Sequence, residues 1–176
     1  MSRINLDNLK TFHEYDQSDN YDYLLKFSRF FEKGYKESQI NQLPIDPNKI
    51  TSLIVCTDGH GRYLADFLPS ITPFFISTPL EICTSYRLPT YANDSSLCLL
   101  LFQDHNTEEA KSIQNEIDSK SIPYLSAISL ENRQNIPYVL GFMFGFFCRL
   151  NPSFTKTINT DNLFLSLEKK ISKNNL

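Results

Sequence analysis

The side chains of this chain that could do chemistry are concentrated in two short loops. Residues 58–61 read Asp-Gly-His-Gly, and residues 103–107 read Gln-Asp-His-Asn-Thr. Each loop follows an apolar segment typical of a buried strand and precedes a segment with helical spacing. The unpaired N–H groups and positive dipole end of a helix N-terminus favour an anion such as phosphate. We therefore expect a ligand site where these two loops meet.

Phosphate binding is the first kind of chemistry that these loops suit. The candidate ligands are the backbone and polar side chains of Gly59, His60, Gly61, Asn106 and Thr107. A plainer interpretation is open for each residue type. Paired glycines are typical of tight turns, and Asp58, Asn106 or Thr107 could simply cap the helix that follows.

Proton transfer and metal binding are the other two kinds of chemistry. His60, His105 and Asp104 are the groups that an acid–base enzyme could use. Carboxylate and imidazole ligands from both loops could also converge on a metal ion, and the set would be Asp58, His60, Asp104 and His105. The alternative is that His60 and His105 are solvated loop residues without a chemical role.

Hydrophobic patterning predicts the elements that position these loops. Four apolar segments predict strands, namely Thr51–Thr57, Pro73–Ile76, Ser96–Phe102 and Pro123–Ile128. Helical spacing predicts helices beginning at Asp19, Arg62, Asn106, Pro137 and Asp161. This alternation favours an α/β, doubly wound fold with a parallel sheet and helices on both faces. Ser96–Phe102 is expected near the centre of the sheet, and Pro123 confines its strand to an edge or a strand start.

Composition limits the classes of function. The 176 residues, 41% of them hydrophobic, suit one globular domain. A net charge of -3 without a basic stripe argues against nucleic acid. The longest apolar stretch is too short to cross a membrane, and we expect no export signal at the N-terminus. The four cysteines lie far apart, three of them in apolar runs, which predicts buried thiols in the cytoplasm. We expect no cofactor.

A resemblance to a known family rests on three segments in order. Residues 86–92 read Y-R-L-P-T-Y-A, the apolar strand Ser96–Leu101 follows, and residues 106–109 read N-T-E-E. This resembles the Y-x-L-P-x-Y/W, strand and S-Y-S-G-N-T-E-E pattern of bifunctional phosphoglucose/phosphomannose isomerases, which belong to the sugar isomerase (SIS) domain family. Residues 54–68 lie where that family has its glycine-rich turn, and residues 137–141 resemble its P-R-x-x-x-G helix start.

The resemblance implies the flavodoxin-like SIS fold, a three-layer sandwich. It implies an N-terminal extension at 1–18, a SIS-like domain at 19–150, and a C-terminal helix and polar tail at 151–176. It also implies a sugar phosphate as ligand, held at the matching positions Gly59, His60, Gly61, Asn106, Thr107 and Tyr138.

Departures from the family pattern weaken the expectation of catalysis. Phe102 and Asp104 stand where the family has two phosphate-binding serines, and Tyr138 stands where it has an arginine. Asp104 would repel a dianion, by several kcal/mol in a poorly solvated site. The family's glutamate base and ring-opening histidine belong to a second SIS domain, for which we expect no room in this chain. We therefore expect a sugar-phosphate binding or assembly domain that is catalytically impaired. An active aldose–ketose isomerase and the metal site are the alternatives.

A homodimer is the expected assembly. The segment Pro137–Leu150 is apolar around its whole circumference, and Gly141 and Gly145 have the spacing that allows two helices to approach closely. A second copy would cover the face that the sheet leaves open. The alternative is an ordinary core helix covered by other helices of the same chain.

Overall fold

The structure, a computed structural model, describes residues 11, 14–18, 20–40, 42–58, 62–74, 76–102, 104–126, 135–155 and 159–173. Its strands are β1 (Ser52–Thr57), β2 (Leu80–Cys83), β3 (Ser96–Leu101) and β4 (Tyr124–Ser126). Its helices are α1 (Asn20–Leu25), α2 (Phe27–Ile40), α3 (Arg62–Ile71), α4 (Glu108–Ser119), α5 (Asn135–Leu150), α6 (Pro152–Thr155) and α7 (Thr160–Lys173). Single 3-10 turns lie at Pro47–Lys49 and Thr72–Phe74. Asp19, where we expected the first helix to begin, lies outside the described residues, as do the last two residues of the predicted fourth strand.

The four strands form one parallel sheet in the order β2-β1-β3-β4. Every pair is parallel, with Leu53 of β1 opposite Leu80 of β2 and opposite Leu97 of β3. β3 lies inside the sheet between β1 and β4, and β4 lies at an edge. The predicted parallel sheet, the interior position of the third strand and the edge position of the Pro123 strand are confirmed.

The predicted strand Pro73–Ile76 is wrong. The chain forms a 3-10 turn at Thr72–Phe74, and the strand follows at Leu80–Cys83. β2 is an edge strand in which Leu80 and Ile82 are half-buried, Glu81 is exposed and Cys83 is buried. An edge strand does not need a continuous apolar run. The prediction was therefore placed on the more apolar segment before it, Pro73–Ile76.

Two cores lie on opposite faces of the sheet because successive side chains of a strand point to opposite sides. On one face, Leu53 and Val55 of β1 and the odd-numbered leucines of β3 pack against α3 and α5. On the other face, Ile54 and Cys56 pack with Ala110, Ile113 and Ile117 of α4. Helices therefore cover both faces, as predicted, and the arrangement is compatible with a three-layer α/β sandwich.

Helix α5 packs tightly against α2 of the same chain. A Cβ atom on Gly141 would lie 1.9 Å from the carbonyl oxygen of Phe31, and one on Gly34 would lie 1.9 Å from that of Tyr138. At Gly145 the nearest atom is Ser38 Oγ at 2.0 Å. The close helix contact predicted from Gly141 and Gly145 is confirmed, but its partner is α2. This removes the main sequence argument for the homodimer, which stays a prediction.

The described helices are too short or too polar for a bilayer. Within the described ranges, no helix combines the length and the apolar character that crossing a membrane requires.

Candidate functional site

The two loops expected to carry the chemistry begin at neighbouring strand ends. Thr57 ends β1 and lies opposite Leu101, which ends β3. The chain leaves β1 toward β2 on one side and leaves β3 toward β4 on the other side. In parallel sheets the crevice at such a reversal is the usual place for a ligand. Of the predicted phosphate ligands, Gly59, His60 and Gly61 lie outside the described residues.

Thr57 is the last residue of β1, at this reversal of the chain direction. Its buried hydroxyl, Oγ1, lies 3.1 Å from the Leu101 carbonyl oxygen and 3.2 Å from that of Asp58, so it can donate to either. Only 3% of Thr57 is exposed. The sequence gives no signal for this role, because a threonine that ends a strand is an ordinary β residue.

The N-terminus of α4 follows the carboxyl end of β3. Thr107 is the capping residue, since its Oγ1 accepts a hydrogen bond from the Ala110 N–H at 3.2 Å. Of the two caps that the sequence allowed, Thr107 is confirmed and Asn106 is wrong. The backbone N–H of Asn106 instead donates to Asp104 Oδ1 at 2.8 Å, which holds Asn106 in the turn before the helix.

Two of the backbone N–H donors at the start of α4 already have acceptors within the chain. One carboxylate oxygen of Asp104 and the hydroxyl of Thr107 each satisfy a backbone N–H. The first-turn N–H groups of Glu108 and Glu109 have no helical acceptor, as at any helix start. These two donors are the ones that an incoming anion could use.

An imidazole and a hydroxyl meet between the turn before α4 and the end of β4. His105 Nε2 lies 3.4 Å from Ser126 Oγ, and both residues are exposed. The His105 ring also meets the ring of buried Phe102 edge-on, with centroids 6.5 Å apart. Ser126 is the last residue of β4, and the crossover through α4 brings it beside His105. Sequence reasoning missed Ser126 because 21 residues separate the pair.

Phe102 and Asp104, the two positions where the resemblance implies serines, differ sharply in environment. Phe102 is 1% exposed and belongs to the core between the sheet and α4. Asp104 is exposed to solvent. Because water screens this charge, we expect its repulsion of a bound anion to be about 1 kcal/mol, the size found for pairs of exposed charges, rather than several.

Tyr138 lies in α5 and belongs to the core on the opposite face of the sheet from α4. Its hydroxyl donates to the Glu37 carboxylate of α2, and burial followed by this hydrogen bond raises the pKa of Tyr138 well above its ordinary value. Lys33 Nζ lies 5.9 Å from the centre of its ring. The Tyr138 hydroxyl thus already has a hydrogen-bond acceptor in α2.

The metal alternative needs His60, which lies outside the described residues. Among the residues that are described, no cluster of three or more His, Cys, Asp or Glu side chains could hold a metal ion. The other three members of the proposed set are Asp58, Asp104 and His105, and they do not form such a cluster by themselves.

Comparisons of this chain with protein-family models, with curated proteins and with solved structures find no match. The assignment to a family therefore depends on the motif resemblance and on what the contacts of those motif residues support.

Proposed function

We propose that this chain is a SIS-type domain that binds a sugar phosphate or a related carbohydrate derivative at the carboxyl edge of its sheet and does not isomerise sugars alone. One observation carries the proposal. The Tyr86 hydroxyl donates to Glu109 Oε1 at 2.8 Å, and these residues open and close the resembling pattern. Tyr86 and Glu109 lie 23 residues apart in the chain, so the contact brings the two parts of the motif together in space. A chance match of letters gives no reason for that contact.

Other contacts of the same segment strengthen the argument. Ser112 Oγ donates to the Tyr86 carbonyl oxygen at 2.8 Å, and the Leu88 N–H donates to Glu116 Oε2 at 2.8 Å. Leu88 itself is buried in the core on the α4 face. Residues 86–88 are therefore attached to α4 at several points. Such attachments hold the N-terminus of α4 at the sheet edge, where a phosphate would bind.

The strand order also supports a flavodoxin-like SIS fold. The order β2-β1-β3-β4 corresponds to the first four positions of the flavodoxin-like order 2-1-3-4-5. In that topology the ligand binds at the reversal between the first and third strands, which is where Thr57 and Leu101 end.

The expected ligand contacts come from α4 and β4. The N–H groups of Glu108 and Glu109 would donate to phosphate oxygens, and Thr107, His105 and Ser126 would add polar contacts. Acidic side chains at 104, 108 and 109 oppose an anion. With the arginine and two serines of the family replaced, we expect weak binding, with a Kd of about 1 mM.

Removal of one acidic charge should strengthen this binding. We expect Asp104→Asn to lower the Kd for glucose 6-phosphate about fivefold, the equivalent of about 1 kcal/mol of screened repulsion. The amide oxygen of the introduced asparagine can still accept from the Asn106 N–H, so the turn should persist. Thermal shift titrations with glucose, mannose and fructose 6-phosphates measure the effect, because a ligand that binds only the folded state raises its stability.

Asp94→Asn is the matched control, because it removes the same charge from an exposed turn before β3, at the opposite edge of the sheet. It should leave the Kd unchanged. Separate titrations with inorganic phosphate and with glucose show whether the protein binds the phosphate group, the sugar or both. Equal responses to Asp104→Asn and Asp94→Asn would place the anion elsewhere, and no response to any sugar phosphate up to about 10 mM would contradict the proposed function.

The pure protein should show no measurable conversion of glucose 6-phosphate to fructose 6-phosphate. Isomerisation needs a base near the first two sugar carbons and an acid for ring opening. The acid–base groups of the described site are the exposed or half-buried side chains of Asp104, His105, Glu108 and Glu109. A coupled assay that follows fructose 6-phosphate is the measurement. Turnover near the enzyme median of about 10 per second would instead favour the isomerase alternative.

A further inference from the structure

Three thiols meet on the face of the sheet that α4 covers. Cys56 lies on β1, between the two strands that carry Cys83 and Cys98. Cys56 and Cys83 are direct partners across β1 and β2, whereas Cys98 of β3 is paired with Ile54. All three belong to one buried cluster, and the proposed sugar-phosphate site uses none of them.

Cys83 is the thiol nearest to the outside of this cluster. It ends β2 and lies directly before the exposed residues 84–87. Its Sγ lies 3.2 Å from the Arg87 carbonyl oxygen and 3.6 Å from Ser85 Oγ, so polar atoms of the exposed turn surround it. Cys83 is 6% exposed, while Cys56 and Cys98 are fully covered.

We propose that Cys83 is a modification site for small peroxides, and that Cys56 converts the oxidised Cys83 into an intramolecular disulfide. The geometry suits this bond. Directly paired residues on adjacent strands have Cα atoms about 4.8 Å apart, inside the usual disulfide range of about 4.4–6.8 Å. Both side chains point to the same face of the sheet.

The chemistry balances with one molecule of hydrogen peroxide. The Cys83 thiolate attacks one peroxide oxygen, the O–O bond breaks, and hydroxide leaves, so Cys83 becomes a sulfenic acid. The sulfur of Cys56 then attacks the Cys83 sulfur. The S–S bond forms, and the sulfenic hydroxyl leaves with the Cys56 proton as water. The hydroxide from the first step takes up the proton that Cys83 released when it became a thiolate. Two thiols are oxidised, and the peroxide is reduced to two molecules of water.

The electrostatics of the pair assign the two roles. The hydrogen bond from Cys56 lowers the pKa of Cys83 to about 6, although burial opposes this shift. The hydrogen bonds to Cys83 and Cys98, together with burial, raise the pKa of Cys56. Cys83 is also the thiol beside the exposed turn, so it is assigned the attack on peroxide, after loss of the proton that it donates to the Arg87 carbonyl oxygen. Burial alone raises the pKa of Cys148, in α5, to about 11.

Peptide mapping of the full-length protein tests the proposal. After treatment with a small excess of hydrogen peroxide and alkylation of the remaining thiols, we expect a disulfide that joins the peptides of Cys56 and Cys83. Dithiothreitol should restore all four free thiols. Cys83 should react at least about tenfold faster than Cys148, the buried control.

Variants separate the two steps. Cys56→Ser, which keeps a hydrogen-bond donor but cannot form a disulfide, should leave Cys83 as a sulfenic acid that dimedone traps, and Cys98→Ala should still form the disulfide. The wild-type map needs no variant, so a variant that fails to fold does not weaken the test. A Cys56–Cys98 bond, equal oxidation rates for Cys83 and Cys148, or Cys83 oxidised beyond sulfenic acid while Cys56 stays free would overturn the proposal.

Discussion

Replacement of Gly141 by alanine is expected to lower the free energy of unfolding by about 3 kcal/mol or more. The added methyl group would lie 1.9 Å from the Phe31 carbonyl oxygen, 2.7 Å from its carbonyl carbon and 3.0 Å from its Cα. These are backbone atoms of α2, so no rotation of a side chain can relieve the clash. Helices α2 and α5 would have to move apart and open the core around Phe142 and Phe146.

The same reasoning predicts a comparable loss for Gly34→Ala, because its new methyl group would meet the Tyr138 carbonyl oxygen at 1.9 Å. Urea denaturation measures both free energies of unfolding. Gly145→Ala is the graded control, since its nearest neighbour is the Ser38 side-chain oxygen at 2.0 Å. Adding Ser38→Ala should recover part of the loss at Gly145. A cost below about 1 kcal/mol at both Gly34 and Gly141 would contradict the close contact of the two helices.

Replacement of Phe102 by serine should destabilise the fold by about 4 kcal/mol without improving the binding of sugar phosphate. The resemblance places a phosphate-binding serine at this position, so the substitution restores a family letter. In this chain, however, Phe102 is 1% exposed in the core formed with Cys56, Leu100 and Ile113. Serine would leave a cavity there and bury a hydroxyl, which costs more free energy unless it finds a hydrogen-bond partner.

Phe102→Leu is the matched variant, because it keeps an apolar side chain and should cost much less, about 1 kcal/mol. Chemical denaturation gives the stability of each variant, and titration with glucose 6-phosphate gives the affinity. If Phe102→Ser kept the wild-type stability and bound the sugar phosphate more tightly, the side chain would belong to the ligand site and the core assignment would be wrong.

The sequence predicts the interior strands well, because burial on both faces leaves a clear signal. Residues 52–57 and 96–101 are apolar runs, and the structure has them fully buried. The edge strand β2 was missed because its partly exposed L-E-I-C pattern resembles neither an apolar run nor a clear alternation. The capping residue stayed open between Asn106 and Thr107 because asparagine and threonine both favour helix starts, and only the turn at Asp104 decides between them.

Much of the candidate site could not be predicted because it depends on register and crossover. The pair of His105 and Ser126 forms only when β4 lies beside β3, and the contact of Cys56 with Cys83 depends on which residues of β1 and β2 face each other. Local spacing carries no information on either pairing. The need for glycine at position 34 likewise depends on a distant segment, because the backbone of Tyr138 in α5 passes next to it.

The central claim is that a sugar phosphate binds at the N-terminus of α4. The most direct measurement is a titration of the isotope-labelled protein with glucose 6-phosphate, followed through the backbone amide signals in NMR spectra. We expect saturable shifts at residues 104–109, at Ser126 and at Thr57, with a common Kd of about 1 mM. Saturable shifts confined to other helices, or no shifts up to about 10 mM, would contradict the account.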